Sequence, residues 1–183
     1  LVILFASLAG LLGCSGGAPG AYLTATRPAA HGDGLTNPCH NADVRAWVVP
    51  PASWQPERLK ATAKHKHQVW LSPTGDTAYG VIRFELPLPL PVELVILGFI
   101  SEMKRDQGEA KLLYSGPDKT LPGLRFACEG GRYRLRGNML VKGAGGWVIY
   151  AGTLRAREEN LPELAIAELA REQTRTGDTP PHP

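Results

Sequence analysis

Between Leu124 and Leu154 the chain alternates apolar and polar positions with a period of two. Leu124, Phe126 and Cys128 interleave with Arg125, Ala127 and Glu129, while Tyr133, Leu135, Met139 and Val141 follow the same rule against Arg132, Arg134 and Arg136. That period marks half-buried strands. Gly130-Gly131 supplies the positive φ angles of a two-residue hairpin turn, which predicts Phe126 opposite Leu135, Cys128 opposite Tyr133 and Glu129 opposite Arg132. A looser turn over Gly143-Ala144-Gly145-Gly146 predicts Val141 opposite Val148 and Lys142 opposite Trp147, and brings Val148, Tyr150 and Leu154 onto the apolar face. The stretch therefore reads as a three-stranded meander. Its other face carries Arg125, Arg132, Arg134 and Arg136 at one end and Leu140, Trp147 and Ile149 at the other. Uncovered, this is a basic surface with an aromatic corner; the plainer reading is a solvated stripe whose apolar end lies under a helix or loop.

Upstream, the pattern changes period. Val92, Val95, Ile96, Phe99, Ile100 and Met103 recur at helical spacing, with Leu94 and Leu97 widening the stripe so that the first turns are expected to be buried. Pro91 opens this helix and Gly108 stops it after Gln107. Before it, Thr77 to Leu86 reads as a central strand with Ala78, Gly80, Ile82 and Phe84 on one face, entered through Val69, Trp70 and Leu71 and the turn Ser72-Pro73-Thr74-Gly75-Asp76. Val44 to Val49 is a short strand candidate, and Pro56 to Thr62 one helical turn. Lys111 to Tyr114 approaches the meander as a short strand. Asn160, with Glu163 three residues on, predicts a capped helix through Glu172, its apolar face Leu161, Leu164, Ala165, Leu169 and Ala170.

The order strand, strand, helix, meander, helix defines an α+β class: an antiparallel sheet with a C-terminal three-stranded meander packed by two main helices. Trp70 through Phe84, the Pro91 to Gln107 helix, the Leu124 to Leu154 meander and the Leu161 to Glu172 helix together resemble the PsbP/Mog1-type sandwich. Such domains occur in exported lipoproteins, and a likeness at this level implies a fold and transfers no activity.

The chain's 183 residues, 43% hydrophobic and 20% charged, suit one globular domain with tails. Leu1 to Gly13 is an uncharged apolar run of signal-peptide core length, too short to span a bilayer. Leu11-Leu12-Gly13-Cys14 at its end resembles the lipobox of bacterial lipoproteins, which implies cleavage before Cys14 and its lipidation, with palmitate among the acyl chains. With no Met and no basic residue before the apolar run, the signal peptide is read as truncated at its start. The expected organisation is a signal peptide over 1–13, a lipidated cysteine and flexible Gly-, Ala- and Pro-rich tether over 14–36, one α+β domain over 37–173, and a disordered tail over 174–183. Location follows: a cell membrane or outer membrane, the domain facing periplasm or exterior. Ser15, where a retention signal would have Asp, leans to the outer membrane.

In such an oxidising compartment Cys39 and Cys128 remain as one pair, and a disulfide between them would close a long loop; the other reading is a buried free thiol at Cys128. His65 and His67, two apart on an extended chain, together with His40 and His31 from the amino-terminal arm, are candidate ligands for zinc or copper, against a plainer reading as an exposed basic segment between Lys64 and Lys66. No CxxC pair, HExxH, GxSxG elbow or P-loop is present, and the net charge of +3 does not support nucleic-acid binding.

These readings rank a lipid-anchored cell-envelope protein with a non-catalytic binding domain first. Its expected partners are the membrane, through the lipid, and an envelope protein or small anionic ligand on the face of Arg125, Arg132, Arg134, Arg136 and Trp147, with no cofactor. A metal-binding protein or enzyme using His40, His65 and His67, and a purely structural envelope protein, are the alternatives.

Overall fold

The computed structural model describes residues 34–57, 65–119, 121, 123–155 and 161–178. Among these lie strands β1 (Cys39–Asn41), β2 (Ala46–Val48), β3 (Gln55–Glu57), β4 (His65–Leu71) and β5 (Thr77–Glu85), helix α1 (Val92–Gln107), strands β6 (Ala110–Pro117), β7 (Leu124–Gly130), β8 (Tyr133–Val141) and β9 (Gly145–Leu154), helix α2 (Leu161–Gln173) and strand β10 (Arg175–Thr176). A seven-stranded sheet runs β3-β4-β5-β9-β8-β7-β6, antiparallel throughout, and a three-stranded sheet runs β1-β2-β10.

The large sheet carries a separate core on each face. On one, Val69, Ile82, Phe84, Val148, Tyr150, Leu135, Met139, Phe126 and Cys128 pack against Val95, Ile96, Phe99 and Met103 of α1. Phe99 meets Phe126 edge to face at 5.7 Å. Because strand side chains alternate between faces, the odd-numbered partners Tyr79, Val81, Ile149 and Ala151, with Trp70, form the second core beneath Ala167 and Ala170 of α2 and Val44, Ala46 and Val48 of the small sheet. Trp70 and Tyr79 stack there at 5.0 Å. α2 packs on β5 and β9, while α1 lies across β6, β7 and β8 on the other side.

The meander keeps the expected faces in a shifted register. Cys128 pairs with Leu135, Glu129 with Arg134 and Gly130 with Tyr133, so the turn is Gly131-Arg132. Gly131 has φ 53°, the first central position of a II′ turn. Likewise Leu140 pairs with Trp147 and Val141 with Gly146. Each register differs from expectation by an even number of residues, so every side chain stays on its expected face.

Other expectations are corrected. Leu94 and Leu97 are 52% and 56% exposed, because α1 rests on the sheet along a narrower stripe of Val95, Ile96, Phe99 and Met103. On α2, Ala165 faces out and Ala167, Ala170 and Arg171 face in. Pro56 lies in strand β3, paired with Trp70; 58–62 fall outside the described residues. The tail does not fray at Thr174: Thr174 is buried, its hydroxyl bonded to Tyr79 and to the Ala170 carbonyl (2.8 Å), and β10 pairs with β2. At the other end the domain already includes Leu35, fully buried and bridged to Pro51. The signal peptide, Cys14 and His31 lie outside the described residues.

Candidate functional sites

The arginine-bearing face divides in two. Because α2 and the small sheet sit over β5 and β9, Trp147 at the expected aromatic corner is covered: its indole N–H donates to the Val44 carbonyl at 2.8 Å, and its ring joins the core beneath α2. Trp147 is therefore a partly buried packing residue whose indole is already engaged. Beyond α2, strands β6 to β8 present Lys111, Tyr114, Arg125 and Arg136, all exposed. Tyr114 is brought onto this face by a bulge in β6 at Leu112/Tyr114, and its ring lies along the strand over Gly116, where a Cβ would meet the hydroxyl at 2.4 Å.

The remaining arginines are engaged. Arg134 donates to Glu129 through Nε at 2.8 Å, and this contact, with Arg155 nearby, holds the Glu129 carboxyl below the usual carboxylate range. Arg132 sits in the hairpin turn with its guanidinium 5.9 Å from the Tyr133 ring centre. Of the four expected arginines, then, Arg125 and Arg136 lie exposed on this open face.

A polar cluster that the sequence pattern missed fixes the border between the two halves. Arg171, 2% exposed, extends from α2 onto Asn138 of β8; its Nε donates to Glu168 at 2.7 Å and Nη2 to Glu172 at 3.2 Å. Asn138 in turn donates to Asp118 at 2.8 Å, whose other oxygen accepts the Leu121 backbone N–H. A buried charge survives only when paired and hydrogen-bonded, and both conditions hold here. A signal was present: Leu164, Ala167, Ala170 and Arg171 stand at helical spacing, which places an arginine on the apolar stripe.

The candidate metal ligands separate. His40 is on β1 of the small sheet, its Nε2 3.2 Å from Asp178 and its ring 5.4 Å from that of Trp47. His65 and His67 are on β4, on the α1 side of the large sheet, paired with Phe84 and Ile82. They are not an exposed segment: His65 is 2% exposed, and burial with His65 alongside pushes His67 down to about 4. Among the described residues no group of three or more His, Cys, Asp or Glu side chains converges as a metal site.

The disulfide expectation is overturned. Cys39 packs against the core under α2 and Cys128 sits in the core under α1, so the sheet itself stands between them. Both are free thiols. Cys128 Sγ lies 3.7 Å from Met103 Sδ, and burial pushes the thiol up to about 12, which makes it an unreactive packing residue.

Taken together, these elements define an α+β domain of PsbP-like fold. It is similar to the solution structure of cyanobacterial PsbP (CyanoP) from Synechocystis sp. PCC 6803, with a TM-score of 0.58 and 11% identity over 86% of this chain and 98% of that one. At that identity the likeness is one of fold. No protein-family model and no curated protein matches the chain. Among the described residues no helix is long and apolar enough to cross a membrane.

Proposed function

We propose that this chain is a cell-envelope lipoprotein, anchored through Cys14, whose PsbP-like domain is a non-catalytic binding module for an acidic partner. The lipobox-like Leu11-Leu12-Gly13-Cys14 supports the anchor. The observation that carries the binding reading is the open half of the sheet, where Lys111, Arg125 and Arg136 stand exposed beside Tyr114. Cations on a rigid sheet surface beside an aromatic ring are suited to carboxylate-rich segments, Arg by its bidentate fork and Tyr by its low entropy of immobilisation.

Titration with a poly-glutamate peptide tests it. The wild-type domain should bind with an affinity that falls as salt rises, and Arg125→Gln/Arg136→Gln should bind about tenfold more weakly or worse; equal binding by both would remove the reading. The anchor is tested separately by the intact mass of full-length protein extracted from membranes, where a chain beginning at acylated Cys14 is expected. An unprocessed amino terminus would end the lipoprotein assignment without touching the binding result.

A further inference from the structure

β4 sets His65 and His67 on the α1 side of the sheet with ring centroids 6.4 Å apart and planes at 64°. Both ring nitrogens of His67 are buried and make no hydrogen bond among the described residues. Nearby lies a second orphan. The register runs Val69, Gly80, Tyr150 across β4, β5 and β9, and the Tyr150 ring lies over Gly80, where a Cβ would fall 2.5 Å from the hydroxyl oxygen. That hydroxyl, diagonal to His67 across the strand pair, is also buried with no partner, on a side chain only 2% exposed.

Buried polar atoms in a native protein are almost always satisfied, and unsatisfied ones call for a missing ion, ligand or water. The donor set narrows the choice. Nitrogen ligands of this kind suit zinc, copper, iron or nickel, but structural zinc takes four ligands, and no such set converges here among the described residues. Among the described residues no carboxylate joins the two histidines as a third ligand, and burial keeps the Tyr150 phenol protonated. The surrounding Val69, Ile82 and Phe84 are apolar, and a dication is far costlier than a monocation to bury in such surroundings. A metal held between two imidazoles by bonds of ~2 Å spaces the ring centres by roughly 6 Å, close to the separation present.

We propose that His65 and His67 form a two-imidazole site for a monovalent soft cation, Cu(I), entered from the half-buried His67 side. Binding is a simple ligation in which one nitrogen of each neutral ring donates its lone pair to the ion. Redox chemistry is no part of it.

The test uses the full chain carrying Cys14→Ser and Cys39→Ser, which leaves Cys128, buried in the core, as its one thiol. Under anaerobic reducing conditions it is titrated with Cu(I) against a chromophoric Cu(I) chelator, and the complex is examined by X-ray absorption. One Cu(I) per chain with two nitrogen neighbours and no sulfur is expected, with His67→Gln lowering affinity at least about tenfold at unchanged circular dichroism. No uptake by the folded chain, sulfur scattering from the bound copper, or equal uptake by folded His67→Gln would each overturn the site, leaving a buried water as its occupant. Should His67→Gln fail to fold, the absorption spectrum of the parent chain decides alone. Poly-glutamate binding at the arginine face is independent of all these outcomes.

Discussion

The two faces of the large sheet are built from the same strands yet solve burial differently. On the α1 side, one helix and a field of apolar side chains close the core, and two of the polar groups on that face, His67 and the Tyr150 hydroxyl, are without hydrogen-bond partners among the described residues. On the α2 side, closure is shared between a helix and a three-stranded sheet, and the seam is fastened by a buried guanidinium whose three nitrogens donate to Glu168, Asn138 and Glu172. One face therefore encloses an imidazole and a phenol without partners among the described residues, and the other uses paired charge to fix where the cover ends. The contrast predicts different responses to substitution and to pH.

The largest effect should come from the fastened seam. Arg171→Met keeps a long side chain but strips Glu168 and the Asn138 carbonyl of their donor, and breaking a buried ion pair from one side costs ~3–5 kcal/mol. Urea unfolding should show that loss, and amide exchange should place the loosening in α2 rather than in α1. Uniform loosening of both helices would mean that the two cores are not separable in the way described.

Acid should find the other face. His67 has a folded value near 4 against 6.5 for the free group, so the unfolded chain binds more protons between those pH values and stability rises with pH across the window. The contribution is fully present above about pH 6.5 and is lost as pH falls towards 4, to a total on the order of 3 kcal/mol. Replacing His67 with Gln should flatten the dependence of the urea midpoint between pH 4 and 6.5. A slope that persists in His67→Gln would assign it to other groups. The carboxylates Glu129 and Asp178 have values lowered from 4.5 and 3.8, so their own losses begin at the acid end of this window and continue below it.

Gly80→Ala tests the Tyr150 shelf at a smaller scale. An added Cβ would lie 2.4 Å from Cζ of Tyr150, and overpacking of this kind typically costs ~1–3 kcal/mol. Gly80 has no positive φ in this structure, so the cost is one of space and not of backbone strain. Gly80→Ala combined with Tyr150→Phe should recover part of the loss, because the added methyl also sits 2.5 Å from the hydroxyl.

The glycines also explain why the sequence could be read for faces and not for register. Period-two alternation identifies a face irrespective of pairing, so the apolar and basic sides of β7, β8 and β9 were legible. Register depended on taking Gly130-Gly131 and Gly143 to Gly146 as turns, and in each case part of the glycine run belongs to a strand. Gly130 lies under the ends of the Met103 and Gln107 side chains of α1, within 2.6 and 2.9 Å of its Cβ position, and Gly146 is required because the Leu140 carbonyl oxygen and the Phe84 ring come within 2.1 and 2.7 Å of its own. A packing glycine and a turn glycine look alike in one dimension. β4 was obscured for a related reason: its inward residues at 65 and 67 are histidines, so KHKH reads as polar while His65 is buried and His67 half-buried. β10 is two residues long and acquires meaning only from its partner β2.

The smallest effect on stability is the one that bears most on function. Arg125 and Arg136 are exposed, and substitutions at exposed positions outside a cap, core or network usually stay within ~0.5 kcal/mol. Arg125→Gln/Arg136→Gln should therefore unfold at nearly the wild-type urea concentration while losing poly-glutamate binding. Arg134→Gln provides the opposing case on the same strand: it removes the donor that holds Glu129, leaving a carboxylate on a sheet surface still bearing Arg155 and Lys111. Its expected signature is a raised Glu129 titration, measured by NMR, with poly-glutamate binding largely retained. If Arg134→Gln instead abolishes binding while Arg125→Gln/Arg136→Gln does not, the recognising group is the engaged arginine, and the open half of the sheet is only solvated surface.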